Sequence, residues 1–114
     1  MINKFRYLLK NRLVRSMEKN DINMEQLRRK VNQEGAILLD IRSPQEYEEG
    51  HLGGSILIPE YELKTKASEK LPDKEQVIVV YCSSGIRSKK AQKILEKMGY
   101  LNVYNLYGGL DNAD

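Results

Sequence analysis

One cysteine stands in the 114 residues, and no apolar run approaches the roughly 18 residues a transmembrane helix requires. A lone cysteine excludes an internal disulfide framework and a multi-cysteine zinc site. It suits a reducing compartment better than a secreted one, so a cytoplasmic location is expected. A signal-peptide core is lacking too, because basic residues interrupt every apolar stretch near the N-terminus. No internal repeat or low-complexity segment is visible. Residues 21–114 also lack net positive charge, with 13 bases against 15 acids. That body is no nucleic-acid-binding surface.

The positive charge sits in residues 1–20, which carry six bases and one acid. Ile2, Phe5, Leu9, Leu13 and Met17 recur there at helical spacing, so 1–20 reads as a basic amphipathic extension. Packing on the body or on a second copy is one role for it. Docking a partner or an anionic membrane surface is another, and a frayed tail is a third. Length and ordinary composition fit one domain, here 21–114.

What is present in that domain is an alternation of strands and helices. Asn23 is an N-cap for a helix over 24–32 that Gly35 stops. Residues 36–41 read as a buried strand ending at Asp40. Ser43-Pro44, with Glu46 at the third helical position, starts a short helix. Gly50-His51-Leu52-Gly53-Gly54-Ser55 is a loop, 56–58 a short strand, and 60–71 a polar helix or loop. Residues 77–81 are apolar and β-branched, the signature of a strand covered on both faces. Ala91, Ile94, Leu95 and Met98 follow at helical spacing before Gly99, and 102–106 forms a last strand. This order predicts an α/β fold with a central parallel sheet flanked by helices on both faces.

Cys82 comes directly after the central strand and faces the start of the next helix. Three features of its loop stabilise a thiolate. The helix start near 84–87 offers unpaired N–H groups and a positive dipole end. Gly85 lets successive amides turn inward as an anion nest. Arg87 adds a full charge. Ser83, Ser84 and Ser88 are small enough to leave the sulfur accessible. The competing reading is an inert core cysteine, since cysteine is among the most buried residue types. His51 invites a Cys–His dyad, but a structural role in its glycine-rich loop fits its placement better. Asp40 ends a strand neighbouring the Cys82 strand, so it is expected near the Cys82 loop. There it accepts loop hydrogen bonds or pairs with a base. Spacing suggests an Arg42–Glu46 ion pair bracing that corner.

These motifs resemble a known family. Leu39-Asp40-Ile41-Arg42, Glu46-Tyr47, the 50–55 loop and Ile58-Pro59 are similar to the N-terminal signature of rhodanese-like domains. Val80 to Ser88 resembles their active-site loop, and Gly108-Gly109 their C-terminal glycine pair. The resemblance covers 22–110 and implies sulfur transfer through a Cys82 persulfide. It also implies a persulfide cradle of backbone amides from Ser83, Ser84, Gly85, Ile86, Arg87 and Ser88. Arg87 would attract an anionic donor such as thiosulfate, and Asp40 and Arg42 would support the site. The acceptor would be a thiol, cyanide or a protein, and no metal or organic cofactor is implied. Four residues separate Cys82 from Arg87, one fewer than in related phosphatases and arsenate reductases, which favours a terminal sulfur over a tetrahedral oxyanion. A non-catalytic binding module is the other alternative. Leu110 stands where an aromatic residue is common, and any closing helix is short or missing. Residues 1–20 are then expected to cover the surface such a helix would protect.

Overall fold

A computed structural model describes residues 17–112. The extension expected over 1–20 lies outside them except for 17–20, where 17–18 are irregular and 19–20 a turn rather than helix. The elements run β1 (Asp21–Ile22), α1 (Met24–Glu34), β2 (Ile37–Asp40), α2 (Pro44–Glu49), β3 (Ile56–Leu57), α3 (Leu63–Lys70), β4 (Val77–Tyr81), α4 (Ile86–Lys97) and β5 (Asn102–Leu106). Single 3-10 turns occupy Glu60–Glu62 and Leu110–Asn112. The five strands are all parallel, in the order β1-β5-β4-β2-β3. The predicted α/β architecture is therefore present.

Local chemistry sets the element ends. Asn23 accepts from the Gln26 amide while the Gln26 side chain accepts from the Asn23 amide, a reciprocal cap on α1. Ser43 and Glu46 do the same for α2. The edge strand β1 was not legible in advance, because two residues carry no periodicity.

Alternation along the strands feeds two cores. Leu39, Ile78, Val80 and Val103 face one side of the sheet, where α3 and α4 supply Leu63, Ala67, Ala91 and Leu95. Leu38, Val79, Tyr81 and Leu106 face the other, against Leu27 of α1. The sheet is thus covered on both faces, as the near-continuous apolar runs require. No helix among the described residues is long and apolar enough to cross a membrane.

Asp40 and Tyr81 are register partners on β2 and β4. The Tyr81 hydroxyl donates to Ser55 Oγ at 3.0 Å and accepts from the Leu52 amide at 3.1 Å. Burial pushes the Tyr81 phenol up to about 12, against the opposing hydrogen bonds of Ser55 and Leu52. Asp40 accepts from the Arg42 amide at 2.9 Å and from its guanidinium at 2.8 to 3.1 Å. Arg42 also donates to the Gly50 carbonyl at 2.6 Å. The expected Arg42–Glu46 pair is absent, because the nearer Asp40 carboxylate already takes the Arg42 fork. Arg42, Tyr47 and Tyr81 instead pin the 50–55 loop.

The Asp40 side chain is wholly buried and that of Arg42 keeps 8% exposure. Removing one member of such a pair strands the other charge at a cost of about 3–5 kcal/mol. Arg42→Met is expected to lose about that much stability in urea unfolding. A loss below about 1 kcal/mol would show that the pair does not hold this corner.

Candidate active site

Cys82 follows β4 at the carboxyl edge of the sheet, where the open ends of parallel strands face the starts of the following helices. Its sulfur lies on the α3/α4 face. Gly85 is the N-cap of α4 and has no side chain to offer the first helical amides. The sulfur takes that place. Cys82 Sγ accepts from the Gly85 amide at 3.0 Å and from the Ser88 amide at 3.3 Å. Backbone donors and the helix dipole thus meet at one atom, as the loop pattern anticipated.

The sulfur is not accessible, contrary to expectation: Cys82 has 0% exposure. The side chains of Ser83 and Ser84 are small, but the backbone of 83–88 closes over the thiol. Two glycines allow this. Gly85 has φ +91°, and a Cβ there would stand 2.8 Å from the Gly108 amide nitrogen. A Cβ on Gly109 would fall against the Ser83 carbonyl and 2.6 Å from the Cys82 carbonyl oxygen. The C-terminal turn packs directly beneath the loop, with the Leu110 amide donating to Cys82 O at 2.9 Å and the Asp111 amide to Ser83 O at 2.8 Å. The glycine pair therefore supports the loop as well as closing the chain.

The other loop residues divide by position. Gly85 and Ser88 are buried, Ser83 and Arg87 half-buried, and Ser84 and Ile86 exposed. The Ile86 amide is turned toward Ser84 Oγ at 3.4 Å rather than toward the sulfur. Arg87 makes a two-pronged pair with Glu46, Nη1 to Oε1 and Nη2 to Oε2, both at 3.0 Å. Ser83 Oγ donates to the same carboxylate at 3.4 Å. Arg87 and then the Ser43 amide hold Glu46 well below its ordinary 4.5, at about 2. Glu46 in turn raises the Arg87 guanidinium. Glu46 therefore ties α2 to the loop, and the Arg87 charge is already matched. Sequence spacing found Glu46 but assigned it to the wrong arginine.

Asp40 and Arg42 share the sheet edge with Cys82 but belong to the opposite face, alongside Tyr81. They brace the 50–55 loop and do not cradle the thiol. His51 is exposed, stacked on Tyr47 at 3.6 Å, and bonded through Nδ1 to the Tyr47 carbonyl at 2.6 Å. The structural role expected for it is the one observed.

A group behind the sulfur was not anticipated. The Cys82 thiol lies 3.4 Å from Ser88 Oγ, to which it donates. Ser88 Oγ donates to Asn105 Oδ1 at 2.5 Å, and Asn105 Nδ2 donates to Asp21 Oδ1 at 3.0 Å. Lys89 Nζ meets Asp21 Oδ1 at 2.8 Å and Glu18 at 3.1 Å. Burial opposes the charge on Asp21, but the Lys89, Glu18 and Asn105 hydrogen bonds outweigh it and lower its titration. The available signal was Asn105 itself, a polar residue on the same side of β5 as the apolar Val103.

Such an arrangement defines a small parallel α/β domain whose one cysteine serves as acceptor at a helix N-terminus. Within that class the chain belongs to the rhodanese-like domain family, whose profile matches residues 23–113. It is 42% identical over 75 residues to thiosulfate sulfurtransferase PspE of Escherichia coli strain K12, covering 66% of this chain and 72% of that protein. It is also 33% identical over 94 residues to the tRNA uridine(34) hydroxylase of Yersinia pestis strain Pestoides F, covering 75% of this chain but 25% of that protein. A rhodanese-related protein of Thermoplasma volcanium superposes with a TM-score of 0.70 at 29% identity, over 83% of this chain and 95% of that one. The family is thus diverse in what its members do.

Glu46→Gln keeps the α2 capping geometry but removes the charge facing Arg87. The Glu46 carboxyl is depressed on folding, so its stabilisation is full above about pH 4.5 and is lost as pH falls toward about 2. Both side chains are about a third exposed, so solvent screening limits the effect to about 1 kcal/mol. Thermal unfolding should show wild type above Glu46→Gln at pH 6 and the two converging near pH 2. A gap that stays constant with pH would contradict this.

Proposed function

We propose that this domain is a sulfurtransferase that carries a sulfane sulfur on Cys82. The observation that carries the reading is the convergence of the Gly85 and Ser88 amides on Cys82 Sγ at the start of α4. A sulfur anion at that point meets donors that need no rearrangement. With thiosulfate as donor, the Cys82 thiolate attacks the sulfane sulfur, and the sulfur–sulfur bond breaks with its electron pair leaving on sulfite. Cys82 then bears a persulfide. In the second half-reaction a thiolate, cyanide or a protein thiol attacks the terminal sulfur. The bond to Cys82 breaks, and the thiolate is regenerated. Two half-reactions through one covalent intermediate predict ping-pong kinetics.

The loop from Ser83 to Ser88 would cradle the terminal sulfur. Arg87 faces the donor only as one half of its pair with Glu46, so the attraction for an anion is weaker than an unpaired arginine would give. A resting free thiol suits a reducing, cytoplasmic setting. Residues 1–20 stand in this reading as a basic extension to the catalytic domain of 21–114, suited to a protein partner or a second copy.

A second reading, a rhodanese-like binding module, draws on the complete burial of Cys82. A phosphatase or arsenate reductase reading is disfavoured by the short span from Cys82 to Arg87.

Intact-mass measurement after incubation with thiosulfate, or with a polysulfide, separates these readings. Wild type is expected to gain one sulfur atom that cyanide or a thiol removes, while Cys82→Ser gains none. Absence of any adduct from either donor would refute sulfur transfer and favour the binding module.

A further inference from the structure

We infer that Asn105 is a positioning residue that fixes the direction of the Ser88 hydroxyl and thereby selects which form of Cys82 its pocket accepts. Ser88, Asn105 and Cys82 are each fully buried. A hydroxyl has one proton and an amide has two distinguishable ends. Asp21 lies in register with Asn105 across the β1–β5 pairing. As a carboxylate, Asp21 only accepts, so it draws the Asn105 nitrogen and turns Oδ1 toward Ser88. At 2.5 Å, that oxygen takes the one Ser88 hydroxyl proton. Ser88 is left with a lone pair aimed at Cys82, and the thiol donates to it.

This direction suits a protonated sulfur and opposes an anionic one. When Cys82 loses its proton, the Ser88 lone pair faces a negative sulfur. Relief comes from rotating the hydroxyl toward Sγ, which removes the donor from a buried Asn105 carbonyl. The persulfide meets no such conflict at Sγ, because the inner sulfur is bonded to the outer one and carries neither proton nor formal charge. The relay therefore favours the thiol and the loaded form over the bare thiolate. This last consequence rests on the sulfur-transfer reading, whereas the proton placement rests on the hydrogen bonds alone.

The surrounding charges do not replace this control. On α4, Arg87 is paired with Glu46 of α2, and Lys89 with Asp21 of β1. Glu60, in the turn after β3, acts on Arg87. Asp40, paired with Arg42, and Tyr81 lie across the sheet on the opposite face. The Ser88 hydroxyl is the side-chain group bonded to the sulfur itself.

The test is the pH dependence of thiolate ultraviolet absorbance, read against Cys82→Ser. Asn105→Ala frees the Ser88 hydroxyl to donate to sulfur. Its midpoint is expected to fall by about one pH unit, a roughly tenfold rise in thiolate at pH values below both midpoints. In a Ser88→Ala background the same substitution should produce no shift. Asn105→Val, which suits a strand and also lacks the acceptor, should repeat the result and serves if the alanine variant fails to fold. A folded Asn105 variant with an unchanged or raised midpoint, or an equal shift without the Ser88 hydroxyl, would overturn the inference. Failure of wild type to take up sulfur would refute the proposed function and leave this titration standing.

Discussion

Confinement of one sulfur atom beneath a short backbone loop is the constraint on which the site depends. Donors that belong to the main chain cannot be moved without moving the chain, so the loop must be held from several sides. Gly109 and the amides of Leu110 and Asp111 hold it from below. Glu46 holds Arg87 at its outer rim, and Asn105 holds Ser88 at its inner one. These supports come from α2 on one side of the loop in sequence and from β5 and the C-terminal turn on the other, and the parallel topology brings them to one edge. Sheet order and site geometry are in this sense the same fact.

Charge in the molecule is organised by pairing. Asp40 with Arg42, Glu46 with Arg87, and Asp21 with Lys89 each join an acid and a base at 3.0 Å or less. Each pair also reaches backbone or amide partners, which is what makes partial burial of a charge tolerable. The loop consequently presents little unmatched charge, and its hold on an anion comes mainly from oriented N–H groups.

The elements were legible wherever a local rule governs them. Asn23 and Ser43 announce their helices through caps, and the β-branched run at 77–81 announces its strand. Partner choice was not legible, because it depends on which face of the sheet a side chain occupies. Glu46 is four residues from Arg42, yet it pairs with Arg87, far along the chain. Asp40 and Cys82 lie on neighbouring strands, but β-strand alternation sends them to opposite sides. The polar relay behind the sulfur requires the pairing of β1 with β5, and a two-residue strand leaves no pattern to read. Burial of Cys82 was missed for a related reason. Small side chains suggested an open sulfur, whereas the glycine contacts bring backbone over it.

Both margins of the sheet, β1 and β3, are only two residues long, and Pro59 follows soon after β3. A strand this short exposes few unpaired N–H and C=O groups, and proline supplies no donor. Another chain therefore finds almost no template on which to extend the sheet. Aggregation by edge pairing is resisted by the same brevity that hid β1 from the sequence.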